Sequence, residues 1–339
     1  MKPVIVHGAV LALSAVLAAG VWSKSGETKA NQGESSVEVW SGRSDSLESI
    51  SFESATRKVK LEAKKDAAGR YFVGSVEKEG TTSPHAHPPG EAHSEDEKPP
   101  EKKRESVRFV SVKAGDELAQ KLAPLMALRS VGKIEAGRNE EFGFDKPEGT
   151  LKVKIGGKEQ SLVIGSATPG GQERYAKHGQ SGTVYAVPGD IAQSMLFAES
   201  RLIERELHGF ADTDVTRVRI SKAGKSREAL RLPEKKDGWA DPANPGKLEE
   251  SIGNYMTKVG RLRVMEYVET PSAPLRPEDV IVRVDYFGGD KALGYVELFK
   301  VPGEKGNDYL ARSEYGRWYV KVPQSAGEQV EQDASGVVK

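Results

Sequence analysis

The chain has 339 residues, enough for two ordinary domains, and carries 50 Lys plus Arg against 50 Asp plus Glu for a net charge of +0. The two signs are interspersed, so no basic stripe marks a nucleic-acid-binding surface. There is no cysteine, which excludes disulfides, thiolate metal sites, a cysteine nucleophile and the acylated cysteine of a lipoprotein.

The chain opens on its one long apolar run. Lys2 precedes PVIVHGAVLALSAVLAAGVW, and Ser23 and Lys24 close it. At about 20 residues the run reaches the length that crosses a hydrocarbon core, and Lys2 favours an inside start. Residues 1–23 are therefore expected to be a transmembrane anchor. The small residues Ala18, Ala19 and Gly20 leave a cleavable signal peptide as the alternative. The expected location is the inner membrane, single-pass with the bulk in the periplasm, or free in the periplasm if the signal is cleaved. Residues 24–36 have almost nothing to bury and read as a flexible stalk.

Beyond the stalk the sequence repeats its landmarks once. Ser49-Ile50-Ser51-Phe52 leads to Gly69-Arg70-Tyr71-Phe72, and Arg217-Val218-Arg219-Ile220 leads to Gly238-Trp239; each reads as an alternating strand, a turn and an aromatic strand. Leu118, Leu122 and Leu125 then fall at helical spacing, as do Leu248, Ile252, Tyr255 and Val259. Pro124 lies inside the first pattern, where it would kink a helix. Both patterns run into Val-Gly-basic, Val131-Gly132-Lys133 and Val259-Gly260-Arg261, with glycine where a helix C-cap is expected. Leu151, Val153 and Ile155 before Gly156-Gly157, and Val280, Val282 and Val284 before Gly288-Gly289, predict equivalent hairpins. Pro169-Gly170, Tyr175, Tyr185 and Val187-Pro188 recur in order as Pro302-Gly303, Tyr309, Tyr319 and Val322-Pro323.

The offset between copies is 168 at Ile50 and Val218 but 128 at Gly132 and Gly260, so the first copy holds about 40 extra residues. Their source is expected to be residues 83–104, SPHAHPPGEAHSEDEKPPEKKR, whose composition cannot build a core. The predicted fold class is α+β: two copies of a mainly antiparallel β-meander unit, 37–200 and 201–333, each with one packed amphipathic helix, plus the N-terminal hydrophobic helix.

The run LKVKIGGKEQSLVIGSATPGGQERYAKHGQSGTVYAV, Leu151 to Val187, resembles the DUF4340 family, bacterial proteins of unknown function. The resemblance extends over most of Val37 to Ser200 and is looser in the second copy. It implies an envelope protein held by an N-terminal helix and associated with ABC-transporter-like or gliding-type systems, and it carries over no catalytic residue.

No constellation in the sequence specifies chemistry. Gly165 to Gly171 (GSATPGG) lacks the Gly-Lys-Ser/Thr ending of a phosphate loop, and its counterpart Val301-Pro302-Gly303-Glu304 marks it as a hairpin turn. His85, His87 and His93, among Glu91, Glu95 and Asp96, could hold a transition metal, but in so proline-rich a segment they read as a solvated linker. Gly179-Gln180-Ser181-Gly182 fails the nucleophile-elbow pattern, and His178 reads as a turn residue. His208, near Arg205 and Glu206 in the connector, is expected at the surface with no third group to orient it. Glu140-Glu141 and Glu249-Glu250 are adjacent and so diverge. Tyr71, Trp239, Trp318 and Tyr319 fall on predicted strands, where packing is expected before glycan stacking. No catalytic residue, cofactor or metal ligand is assigned. The sequence thus predicts a non-enzymatic envelope scaffold binding a protein partner in the cell envelope, with an ABC-transporter-like complex as the candidate, and an envelope glycan- or polymer-binding module as the alternative.

Overall fold

A computed structural model of the chain describes residues 36–79, 104–235, 238–271, 274–303 and 306–338. The expected N-terminal helix, almost all of the stalk and the histidine-rich part of the insertion lie outside these residues. Among the described residues no helix is long and apolar enough to cross a membrane.

Two large antiparallel sheets dominate. The first is built from β2 (Leu47–Glu53), β3 (Arg57–Asp66), β4 (Gly69–Glu79), β5 (Arg104–Ser111), β7 (Arg129–Lys133), β8 (Gly149–Ile155), β9 (Lys158–Ala167), β10 (Glu173–His178) and β11 (Thr183–Pro188), in the order β5-β4-β3-β2-β8-β9-β10-β11-β7. The second uses β12 (Arg217–Lys222), β13 (Lys225–Arg231), β14 (Trp239–Ala240), β15 (Glu266–Val268), β16 (Val280–Gly288), β17 (Lys291–Gly303), β18 (Gly306–Ser313) and β19 (Tyr319–Val322), in the order β14-β13-β12-β16-β17-β18-β19-β15. Without β5 the first order maps strand for strand onto the second. β1 (Val37–Trp40) and β6 (Leu125–Ala127) form a separate two-stranded ribbon. The protein is α+β, rich in antiparallel strands.

Period-2 patterning explains the sheets. Leu151, Val153 and Ile155 of β8 and Val282, Val284 and Tyr286 of β16 all point into the core, with Lys152, Lys154, Arg283 and Asp285 between them. Gly156 and Gly157, at φ +53° and +78°, form the two-residue turn joining β8 to β9, whose twist matches paired strands only when both φ values are positive. The apolar faces are covered by α1 (Lys113–Leu122), α2 (Gly189–Leu196) and the short α3 (Ala198–Arg201) on the first sheet, and by α4 (Glu250–Val259) and α5 (Gln324–Val337) on the second. Both α2 and α5 start directly after a proline, Pro188 or Pro323, whose backbone has the same φ of −54° and ψ of 127°. Each sheet therefore carries a second helix that periodicity did not predict.

Two expectations are corrected. α1 ends at Leu122, so Pro124 follows the helix, on a cis peptide bond, and does not kink it. Gly132 lies on edge strand β7 and Gly260 ends α4 in right-handed geometry, so the shared Val-Gly-basic signature joins positions that are not equivalent. Helix for helix, buried Leu118 and Leu122 answer to Tyr255 and Val259, an offset of 137 (118 to 255) in place of 128. After the expected insertion the first sheet gains a strand without counterpart in the second: Arg104, the last residue of 83–104, begins β5, which pairs along β4 from Glu79↔Arg104 to Phe72↔Ser111.

The two sheets are joined firmly. One apolar cluster runs from Trp40 and Ile50 through Leu202, Leu207 and Val215 to Tyr255 and Val330. Arg317, with only 8% of its side chain exposed, pairs with Asp66 (3.1 Å) and lies over the Tyr71 ring at 4.9 Å. Its φ of +59° is a left-handed conformation costly for a residue with a Cβ, which these cross-sheet contacts offset. Arg108 of β5 pairs with Glu269 and lies over Trp318. The Tyr315 hydroxyl, in the turn after β18, donates to Glu204 Oε2 of the connector at 3.2 Å.

A candidate ligand cleft beside the second sheet

Most of the residues singled out from the sequence have structural work. The Gly165–Gly171 stretch is the end of β9 and a turn in which the Gly171 N–H donates to the Thr168 carbonyl; a strand follows it. Gly165 is glycine because a Cβ there would stand 2.1 Å from the Phe142 carbonyl oxygen. His178 is a satisfied turn residue: Nδ1 accepts the Ser181 N–H at 3.2 Å and Nε2 lies 3.1 Å from Gln160 Oε1. Ser181 is held in that turn. Glu141 pairs with Arg138, and Glu249 lies 3.8 Å from Arg227, apart from Glu250. His85, His87 and His93 lie outside the described residues, and no cluster of metal-ligating side chains occurs among the described ones.

The four aromatics of the conceivable glycan platform are scattered, and each is covered by a guanidinium. Arg317 lies over Tyr71, Arg231 over Trp239, Arg108 over Trp318 and Arg312 over Tyr319. Trp239 is itself buried. These rings are spent on cation–π packing.

His208 departs from expectation. It is not a surface residue: its side chain is 19% exposed, it stacks on Phe210 (ring centroids 4.7 Å apart) and it meets Tyr286 edge-on at 4.6 Å. A third group does stand beside it, since Glu314 Oε1 lies 3.6 Å from Nδ1. That separation is too long for a hydrogen bond, and Nδ1 is buried without a partner. The Glu314 carboxylate instead accepts the Tyr295 N–H at 2.7 Å.

His208 lines a cleft of about 410 Å³ between the connector, α4 and the second sheet. Its inner wall is apolar and aromatic: Phe210, Trp239, Met256, Leu262, Tyr286 and Val296. Its polar rim includes Glu206, Asp212, Thr257 and Arg263, with Arg231 held by the Asp212 carbonyl at 2.6 Å. Nearby, the Tyr255 hydroxyl is buried without a partner. Burial, reinforced by the negative charge of Asp333, pushes its pKa well up, so the phenol stays neutral. The pKa of Tyr286 is likewise raised, chiefly by burial. The cleft thus combines apolar and aromatic inner walls with a charged rim. His208 could not be assigned from sequence because Tyr286 reaches it from β16 and Glu314 from the turn after β18, both far along the chain.

The chain matches the family described as Domain of unknown function (DUF4340) over residues 112–279, and this part of the chain belongs to that family. The match contains the run 151–187 but is placed differently from the expected resemblance over the first copy. It begins at α1 and ends just before β16, and so takes elements from both sheets. A search of curated proteins and a search of solved structures find no match.

Proposed function

We propose that the protein is a non-enzymatic accessory or scaffold protein of the bacterial cell envelope. In this reading the N-terminal apolar segment holds it at the inner membrane, the described residues face the periplasm, and the protein engages an ABC-transporter-like or other envelope assembly. The observation that supports a scaffold is the joint between the two sheets: a shared core, the Asp66–Arg317–Tyr71 set and the Arg108 contacts give a body of fixed geometry. Domains meant to move past one another meet through smaller, wetter interfaces.

Sheet faces are better contact surfaces than sheet edges here. The outer edge β7 has only five residues, carries Arg129 and Lys133, and contains a bulge at Val131, all features that discourage strand addition. The outward face of the second sheet presents Arg283, Tyr295, Glu297, Arg312 and Tyr319 side by side. Arginine and tyrosine are the residue types that carry protein interfaces.

Crosslinking the full-length protein in native envelopes and identifying what co-purifies tests this proposal. Recovery of the same envelope protein subunits, reduced by the double substitution Arg312→Glu with Tyr319→Ala, is the expected outcome. Recovery of polymer alone would overturn it in favour of glycan binding.

A further inference from the structure

Val107, Val131, Phe197 and Met265 are the large apolar side chains that stand exposed among the described residues. Val107 and Val131 lie singly on the edge strands β5 and β7, at 37% and 39% exposure, as isolated surface hydrophobics commonly do. Phe197 and Met265 are 55% and 56% exposed and come together from different sheet units. The Arg205 guanidinium joins them: Nη2 donates to the Glu199 carbonyl at 3.2 Å, and Nη1 donates to the Val264 and Met265 carbonyls at 3.2 and 3.0 Å. The segment that enters β15 is thereby clamped to α3, which starts directly after Phe197.

The cations of this patch face solvent and are held by neutral oxygens. Arg205 spends its N–H groups on the main chain, and Arg201, one helical turn after Phe197, donates to the Gln193 side-chain oxygen at 3.1 Å. Glu199, the acid of α3, is taken by Lys78 at 2.6 Å and Arg57 at 3.7 Å. Glu204 accepts the Arg205 amide N–H and the Tyr315 hydroxyl. Even with the exposed Glu266 next to Met265, the surround of the apolar pair is net basic.

The patch also lies within reach of the place where the described chain starts. Val37 pairs with Ala127, and the next residue, Leu128, donates its N–H to the Ala186 carbonyl, two positions before Pro188. From Pro188, α2 carries the chain about 12 Å, at about 1.5 Å per residue, to Phe197. Residues 24–36, between the apolar run and Val37, can span at most about 45 Å.

We propose that the Phe197–Met265 patch seats the folded body on an anionic bilayer surface, with the two apolar side chains among the headgroups and the Arg201 and Arg205 guanidiniums against lipid phosphates. The proposal rests on the reading that the N-terminal segment is held in the membrane, and it deepens that reading. Exposed apolar side chains rimmed by polar groups mark contact surfaces, and at a membrane interface apolar burial and attraction to anionic lipid add. Two side chains attach weakly by themselves, but on a chain already held at the membrane the contact is intramolecular and needs little affinity. A single tether leaves the body free to turn; the second contact fixes which face meets the lipid.

The chain has no cysteine, so one introduced thiol is a unique label. Full-length Ser200→Cys, at an exposed position between Phe197 and Arg201, and full-length Ser226→Cys, exposed in the β12–β13 hairpin, are each coupled to a fluorophore. Both are reconstituted in vesicles of phosphatidylcholine with phosphatidylglycerol that carry a lipid with a headgroup nitroxide. The expected result is quenching at position 200 and none at position 226, with loss of that quenching when phosphatidylglycerol is left out. Phe197→Ser with Met265→Ser, two side chains that the core does not use, should bring position 200 down to the level of position 226. Equal quenching at both positions, none at position 200, or quenching unchanged by the double substitution or by omission of phosphatidylglycerol would overturn the proposal. Protein that fails to float with the vesicles overturns the membrane-held reading and this proposal with it, whereas protein that floats with position 200 unquenched overturns the patch alone.

Discussion

The two sheet units solve the same packing problem with different residues. In the first, Trp40 closes the space between the leading strand and its helix; in the second, His208, which answers to Trp40 by the offset of 168 that relates Ile50 to Val218, leaves it open. The outer faces differ in the same manner. Phe142 and Phe144 descend from a loop onto Val184, with Val163 and Tyr175 beside them, over the glycine at position 165. In the second sheet the strand itself supplies buried Phe299, edge-on to Tyr319, beneath Leu275 and Pro277. The backbone order stays constant while the large side chain moves between strand and loop. What must be preserved is filled volume, because interiors pack to crystal density whichever element provides the atoms.

The comparison can be broken most severely at Trp40. Trp40→Ala removes a buried ring and orphans the Leu122 carbonyl, and should cost about 3–5 kcal/mol in denaturant unfolding. His208→Ala, at the corresponding place, should cost under about 1.5 kcal/mol because its cleft is already open. Equal losses would show that the two places are not counterparts.

Gly165→Ala comes next. Its Cβ would collide with backbone rather than with a movable side chain, so a loss of about 1–3 kcal/mol is expected, read as a lower denaturation midpoint at unchanged slope.

The joint between the units supplies a pH test. Partial burial pushes the Asp66 carboxyl up, but the Arg317 hydrogen bond and charge, with the Ala68 and Gly69 amides, outweigh it and hold the pKa below the usual carboxylate value. A lowered folded-state pKa contributes stability that is present above the unfolded value, near 4, and is lost as pH falls through the folded one. Asp66→Asn should therefore lower the melting temperature at neutral pH and flatten its acid-side dependence. An unchanged acid slope would remove Asp66 from the joint. The smallest effect is expected at the exposed Arg138–Glu141 pair, where Glu141→Gln should leave the denaturation midpoint unchanged.

Much of this fold was legible in the sequence. The alternation of Leu151, Val153 and Ile155 and of Val280, Val282 and Val284, each closed by glycine, located the central hairpins, because a strand half-buried on one face must alternate. Leu118 with Leu122, and Ile252 with Tyr255 and Val259, located the two first helices through their 3.6-residue period. The low hydropathy of Gln324–Val337 hid α5, whose buried Gly327 packs against the Tyr309 ring, a contact no local pattern announces.

Register and repetition were thus set locally, by turns and apolar periods that act over a few residues. Tertiary structure alone decided the rest: that Val131-Gly132 and Val259-Gly260 are not equivalent, that Arg104 opens a ninth strand, that the four candidate aromatics each pack under an arginine, and that His208 faces a cleft where Trp40 fills one. Some of these outcomes, such as Arg317 over Tyr71 and Arg108 over Trp318, depend on residues more than two hundred positions apart, and whether a space is full or empty is a property of all its walls at once.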